Sequence, residues 1–438
     1  MYYQPAAKQT GRMWDTWLYL HEETYYLYYL GNRSGSWDNI SLATSRDGVD
    51  WKEYGRVLAK REGVVWMGSG STWRSPNYEE DGKFFLNFSE WRGSRQTIFF
   101  AESADLIHWR PVGDEYEFKQ DERWYEPIGR WDCIYAIPRP GGGLFGYWTA
   151  TPRGGTGGHF GFGQSLDGAR WEALPPPKAP TVGKGEVGAV ERIRDHYYMM
   201  FGARRSMVTL VADRPEGPFH RARKNDRLLS GHTYFSRFLP APDGMLVNHH
   251  SIARNGAVYF APLKSAAVDD EGTLRLAWWT GNEKLKGKSV EVKLSSRDAD
   301  NESPVVMLAG AFDVDRGIIL EGRLNLPPSN GPGRVGLYIE CVQQGGAAVL
   351  VGSGGAELGL GQIDGPGFKV EKRVDRGKQF SNLTRFRLLL KHSLMEFYLD
   401  DILIECFSLP ATATGRIGLI TGGERNATHN LKAWCSSE

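Results

Sequence analysis

Two short patterns alternate along the first 290 residues, and together they restrict the chain to a repeated β architecture. The first reads Ser45-Arg46-Asp47-Gly48-Val49-Asp50-Trp51, then Ser103-Ala104-Asp105-Leu106-Ile107-His108-Trp109, then Ser165-Leu166-Asp167-Gly168-Ala169-Arg170-Trp171. A degenerate fourth copy runs from Ala212-Asp213 to Phe219. Each copy follows a strand-like run (NISLAT, TIFFAE, HFGFGQ, VTLVA), so it reads as the turn after a strand, with the aromatic packing back. The second pattern is a turn followed by an aromatic strand: ETYYLYYLG, DGKFFLNFSE, GGGLFGYWTA, RDHYYMMFGA and DGMLVNHHSI. The first apolar residues of these five copies, Tyr25, Phe84, Leu144, Tyr197 and Met245, lie 59, 60, 53 and 48 apart. Five multi-stranded units of this length predict a five-bladed β-propeller over residues 1–290. Helical periodicity is nearly absent, which disfavours a TIM barrel or a Rossmann sheet. A sandwich with chance internal similarity does not account for two interleaved patterns that keep the same order.

Beyond residue 290 the character changes. The run SSRDADNESP is polar and turn-rich, as at a domain boundary. Alternating strands follow, among them GAFDVDRGIILEGRLNL, FRLLLK and MEFYLDDILIECF, and they predict a β-sandwich over 300–438. Two domains also suit a chain of 438 residues, since a single core rarely grows past roughly 250–300. The fold class is therefore all-β, propeller then sandwich, with a supporting role for the second domain.

Charge narrows the function. Lys and Arg number 53 against 52 Asp and Glu, so nucleic acid and anionic membranes are not expected partners. The N-terminal MYYQPAAKQTGRMW lacks the pattern of a secretory signal, and no run approaches a membrane span. The four cysteines form no CxxC pair, so neither a zinc site nor a disulfide framework is signalled. The expected location is cytoplasmic, unless a leader has been removed.

Propeller blades place their inner strands around a central channel, and the residue that starts each inner strand faces one end of it. About ten residues upstream of each aromatic strand stand Asp15 in blade I, Arg74 and Ser75 in blade II, Asp132 in blade III, Glu186 in blade IV, and Tyr234 and Arg237 in blade V. Three carboxylates at equivalent positions suit glycoside hydrolysis. One attacks the anomeric carbon or activates water, one holds a proton for the leaving oxygen, and one steadies the oxocarbenium-like transition state. Trp14, Trp17, Trp66 and Trp131 would supply stacking walls and desolvate the acid. Each residue also has a bland reading. A lone Asp in a turn is usually a cap, and only the equivalence across blades argues otherwise. His249 and His250 are adjacent, so in a strand they point to opposite faces and do not share an ion. Cys133 has no marked base and reads as a buried thiol. No metal site is expected.

At this point the chain resembles glycoside hydrolase family 32, the invertases, inulinases and levanases. That family opens with a WMNDPNG-type segment bearing the nucleophile; here TGRMWDTWLYL keeps the acid, Asp15, without the motif's Asn, Pro and Gly neighbours. The family's WSGS segment resembles Trp66-Met67-Gly68-Ser69-Gly70-Ser71. Its RDP segment, with the transition-state stabiliser, resembles Arg130-Trp131-Asp132-Cys133, in which one residue separates Arg from Asp and Cys replaces Pro. Its ECPDLF segment, with the general acid, resembles Glu186-Val187-Gly188-Ala189-Val190-Glu191. The later stretches Val268-Asp269-Asp270-Glu271-Gly272-Thr273-Leu274-Arg275 and MEFYLDDILIECF resemble the family's linker run and a sandwich strand pair. The resemblance implies a retaining exo-glycosidase acting on a β-fructofuranoside. In it Asp15 is the nucleophile, Glu186 the acid/base and Asp132 the stabiliser, with Trp14, Trp17, Trp66, Arg74, Arg130, Trp131 and Tyr234 around the sugar. Two alternatives stay open: an inverting enzyme like the family 43 arabinofuranosidases and xylosidases, and a carbohydrate-binding propeller without chemistry. Transfer to a sugar acceptor would use the same residues. The chemistry needs no cofactor, and the expected partner is a sugar or oligosaccharide substrate.

Overall fold

The computed structural model describes all residues except 7–10, 156–157, 181, 205, 230, 296–304, 328–333, 343–345, 353–356, 365–366, 422–427 and 438. The predicted boundary run 295–304 thus lies, apart from Ser295, outside the described residues. The chain divides into two compact units. One comprises residues 3–250 and 258–274, the other residues 1–2, 251–257 and 275–438.

The first unit is the propeller. Blade I is an antiparallel sheet of Arg12–His21, Thr24–Asn32, Asn39–Ser45 and Lys52–Ala59. Blade III repeats it with Asp132–Pro138, Leu144–Thr149, Phe160–Ser165 and Glu172–Leu174. Blade IV does so with Gly185–Ile193, His196–Ala203, Ser206–Ala212 and His220–Arg221. In blade II the inner strand is split into Trp66–Gly68 and Thr72–Arg74, both paired with Phe84–Arg92. Blade V contributes Arg237–Ala241, Gly244–Asn248 and Lys264–Val268. The five inner strands touch one another in chain order, and the last touches the first. The N-terminal segment reinforces that closure: Tyr3 N–H donates to Phe260 O at 3.0 Å, and Phe260 N–H donates back at 2.8 Å.

The repeated Ser-Asp motif is explained by its hydrogen bonds. Ser45 Oγ accepts from Gly48 N–H at 2.9 Å, and Asp47 Oδ1 accepts from Val49 and Asp50 N–H, both at 3.0 Å. Ser103 with Asp105 and Ser165 with Asp167 repeat the pattern. The side chains satisfy a turn backbone that no strand reaches. The turn needs a left-handed residue at its centre. Gly48 and Gly168 supply one, and Leu106 adopts the same region at φ 65°. The degenerate fourth copy keeps the aromatic, Phe219, which is buried against Phe160 and Tyr147.

Blades pack face to face through the apolar residues of their alternating strands. Trp17, Tyr28, Leu42, Phe84 and Phe88 fill the space between blades I and II. Trp73, Phe100, Tyr125, Trp131 and Trp148 fill that between blades II and III. The second unit is a β-sandwich. One sheet runs in the order Ile402–Ser408, Leu394–Leu399, Leu383–Lys391, Ile318–Asn325, Thr428–Ser436, Lys286–Val290. The other includes Val305–Ala309, Ala413–Ile420, Val335–Cys341 and Gly346–Val351. Leu320, Phe386, Leu388 and Phe397 from the first meet Leu337, Ile339, Ile417 and Leu419 from the second in one buried cluster.

Candidate active site

Asp15, Asp132 and Glu186 stand at the starts of three inner strands, and each sits at or beside a β-bulge. The registers slip by one residue between Trp14 and Trp17, between Asp132 and Tyr135, and between Val187 and Ala189. A bulge re-aims a side chain that regular pleating would send elsewhere. Asp15 and Cys133 accordingly have positive φ, 43° and 64°. The same device recurring in three blades turns three acids towards one end of the channel.

Their partners form two hydrogen-bonded groups, one around Arg130 and one around Ser69 and Arg237, and the charges of the three acids act on one another across them. Arg130 Nη2 donates to Asp132 Oδ2 at 2.7 Å and to Glu186 Oε1 at 2.5 Å, so a single guanidinium ties two of the acids. Ser89 Oγ donates to Asp132 Oδ1 at 2.5 Å, and Gln96 Nε2 donates to Ser89 Oγ at 2.8 Å. Tyr234 hydroxyl donates to Glu186 Oε2 at 3.0 Å. Ser69 hydroxyl donates to Asp15 Oδ2 at 3.3 Å, while Asp15 Oδ1 is buried without a partner. Burial, then the charge of Glu186, pushes the Asp15 carboxyl up to about 8, against the pull of Arg237 and Arg130. Asp132 is held in place by a void its neighbour leaves. A Cβ on Gly68 would stand 2.2 Å from Ser89 Oγ and 2.5 Å from Asp132 Oδ1, so only glycine fits there.

The other residues singled out in the sequence divide. Trp14 joins the site: its ring lies 6.4 Å from that of Tyr234 and 4.5 Å from that of His250. His250 is itself buried and held neutral, its pKa lowered by burial to about 3. Trp131 does not join, because its ring turns away from Asp132 into the core against Phe118, Tyr125 and Trp148. Trp17 is core as well, stacked on Tyr28 with its indole N–H donating to Thr72 Oγ1. Trp66 stacks on Trp91 at 5.7 Å. Arg74 lies at the far end of the inner strand, over Tyr78 and near Glu79, not among the acids. Cys133 is a buried thiol, pushed up to about 12 chiefly by burial.

Arg237, the blade V equivalent, contributes more than the sequence suggested. It is 1% exposed. Its Nη2 lies 3.4 Å from Ser69 Oγ and 3.2 Å from Cys133 Sγ, and its Nη1 donates to Gly188 O at 3.3 Å. It therefore forms a cationic floor beneath the acids. Ser69, Ser89 and Gln96 are further network members with no signal of their own in the sequence beyond the WSGS-like run.

No protein-family model matches the chain, and no curated protein matches it. Solved structures do. Sucrose-6-phosphate hydrolase from Lactobacillus gasseri superposes with a TM-score of 0.72 at 12% identity, over 96% of this chain and 89% of that one. A family 32 β-fructofuranosidase from Bombyx mori in complex with sucrose gives 0.71 at 12% identity, over 97% and 91%. Fructan 1-exohydrolase IIa from Cichorium intybus gives 0.67 at 12%, over 100% and 97%. At this identity the likeness is one of fold, and the fold of the chain is that of the glycoside hydrolase family 32 structures: a five-bladed β-propeller followed by a β-sandwich.

Proposed function

We propose that the protein is a glycoside hydrolase that cleaves a furanoside, with a terminal β-fructofuranosyl unit as the first substrate class. The observation that carries this reading is the convergence of three acids from three blades: Arg130 bridges Asp132 and Glu186, and Asp15, bonded to Ser69, lies close enough to feel the charge of both. The three fold relatives named above, all sugar hydrolases by their names, agree with it.

The proton inventory is consistent with such chemistry. Two guanidiniums, Arg130 and Arg237, face three carboxyls, so charge balances when one proton is shared. At rest that proton belongs on Asp15, which burial and the Glu186 charge both push towards the neutral form. Attack by Asp15 requires it on Glu186 instead. Arg130, 40% exposed and bound to Glu186, is the group that must let go as sugar enters. Glu186 then gives its proton to the leaving oxygen while Asp15 bonds to the anomeric carbon. In the second step Glu186 takes a proton from water, whose oxygen displaces Asp15. Asp132, fixed by Ser89 and Arg130, accepts hydrogen bonds from sugar hydroxyls and offsets the developing positive charge.

The test separates the roles. Purified enzyme is assayed on sucrose, a fructo-oligosaccharide, and nitrophenyl arabinofuranoside and xyloside. Turnover of the fructosides is expected; turnover of the pentosides alone would move the substrate class to the family 43 alternative, and binding without turnover would make the propeller a sugar-binding module. Glu186→Gln is expected to lose roughly 10²–10⁴-fold in kcat and to regain rate with azide as an external nucleophile. Its azide product should retain the anomeric configuration, since azide displaces Asp15, whereas any azide product of Asp15→Asn should be inverted, since azide then displaces the leaving group directly; the opposite pairing would exchange the two roles.

A further inference from the structure

We infer that the channel carries a second ligand site at its opposite end, a pocket for a small organic anion. There, among the C-terminal ends of the inner strands, a cavity of about 540 Å³ opens. That volume lies within the ~300–1,000 Å³ of ordinary ligand pockets. Its charge is lopsided. Arg74, Arg139 and Arg237 line it against a single acid, Glu191.

Arg237 makes this more than a surface patch. Its guanidinium is 1% exposed, and among the described residues no carboxylate stands within ion-pair distance of it. All its hydrogen-bond acceptors are neutral, and its buried Nε has no partner at all. The acids at the other end balance its charge only through space, a guanidinium taken out of water with no carboxylate in contact is costly, and its planar fork matches carboxylate and phosphate oxygens. Glu191 complements it. It accepts from the Tyr135 hydroxyl at 2.8 Å and has no cation within ion-pair distance among the described residues. Burial raises its carboxyl to about 7, so near neutral pH it is available in the protonated form to donate to an anion's oxygen. Tyr19, Leu144 and Phe238 give the pocket apolar walls, which suit a compact carbon body. The shared chemistry is an anionic oxygen pair on such a body, from a carboxylic acid or from a phosphate monoester.

This site shares Arg237 with the acid end but needs no glycosidase activity, and it is tested without turnover. Calorimetric titration of the full-length protein with succinate, with glycerol 3-phosphate and with inorganic phosphate is expected to give one saturable site for at least one of them, below ~10 mM. Succinate alone would identify a carboxylate ligand, and the phosphates alone a phosphate ester. Affinity should fall about tenfold or more in the rim double variant Arg74→Ala/Arg139→Ala, whose side chains are respectively exposed and half-buried and whose urea midpoint is measured alongside, and again in Arg237→Gln. It should persist in Asp132→Asn, at the other end of the channel. No binding of any probe, or binding lost in Asp132→Asn and kept in the rim variant, would overturn the proposal while leaving the hydrolase reading where it stands.

Discussion

The five inner strands gather acids where they begin and border a cation-lined cavity with apolar walls where they finish, and the contrast shows how one scaffold holds two environments. At the starts, bulges crowd three acids, two guanidiniums and three hydroxyls together. At the far ends, regular pairing resumes, as in Ala189↔Met200 through Ile193↔His196, and one acid, Glu191, faces a cavity with apolar walls. The bulges make the difference. Without the extra residue, Asp132 and Glu186 would follow the alternation of the strand, and the cluster would disperse.

The two ends share their side walls, so the largest effect should come from breaking those. Trp148→Ala removes a fully buried indole that packs on Phe118 and Trp131 between blades II and III. A loss of about 3–5 kcal/mol is expected in urea unfolding, with both ends affected together. Asp132→Asn sharpens the contrast, because it acts at one end alone. It keeps the shape, weakens the bond to Arg130, and is expected to lower kcat by roughly 10²–10³-fold with little change in urea midpoint. The third prediction treats the ends as alike. Asp15 and Glu191, one at each end, both have folded pKa values, about 8 and about 7, above an unfolded value of about 4. The folded state therefore binds more protons than the unfolded state between those limits. Both groups lower stability as pH rises from about 4 towards 8, by at most ~1.4 kcal/mol per pH unit each. Asp15→Asn and Glu191→Gln should each flatten that decline in urea midpoints measured across the range; an unchanged slope in either variant would mean that carboxyl is ionised throughout. The smallest effect is a control remote from both ends. Ser45→Ala removes the acceptor of the Gly48 N–H and should cost about 1 kcal/mol, with kcat untouched.

The architecture was legible because turn chemistry is local: Ser, Asp, a left-handed residue and an aromatic announce the same turn wherever it falls. The three acids were legible through that repeat, each being counted back from its aromatic strand. The same count placed Arg74 in blade II beside them, and there the structure differs. A short helix, Tyr78–Asp81, lengthens the connection between the inner and second strands of that blade, and the inner strand itself is split. The residue facing Asp15 is consequently Ser69, further upstream. Trp131 and Trp17 illustrate a different limit. Proximity in sequence to an acid says nothing of direction: Trp131 adjoins Asp132 and points to the opposite face, while Trp17, two residues from Asp15, is taken off the acid's face by the bulge between Trp14 and Trp17, and both indoles turn into the packing between blades. Arg237 carried the right position and no motif, and its burial beneath the acids is a property of the assembled channel.

The pairing of Tyr3 with Phe260 has a consequence for how this molecule is made. During synthesis the leading segment waits for its mate until nearly the whole propeller has left the ribosome. Until then the nascent chain is an open crescent whose first and last blades each present a bare apolar flank. Shutting it is a contact of very long sequence separation, slow to find and open to intermolecular mispairing in the meantime.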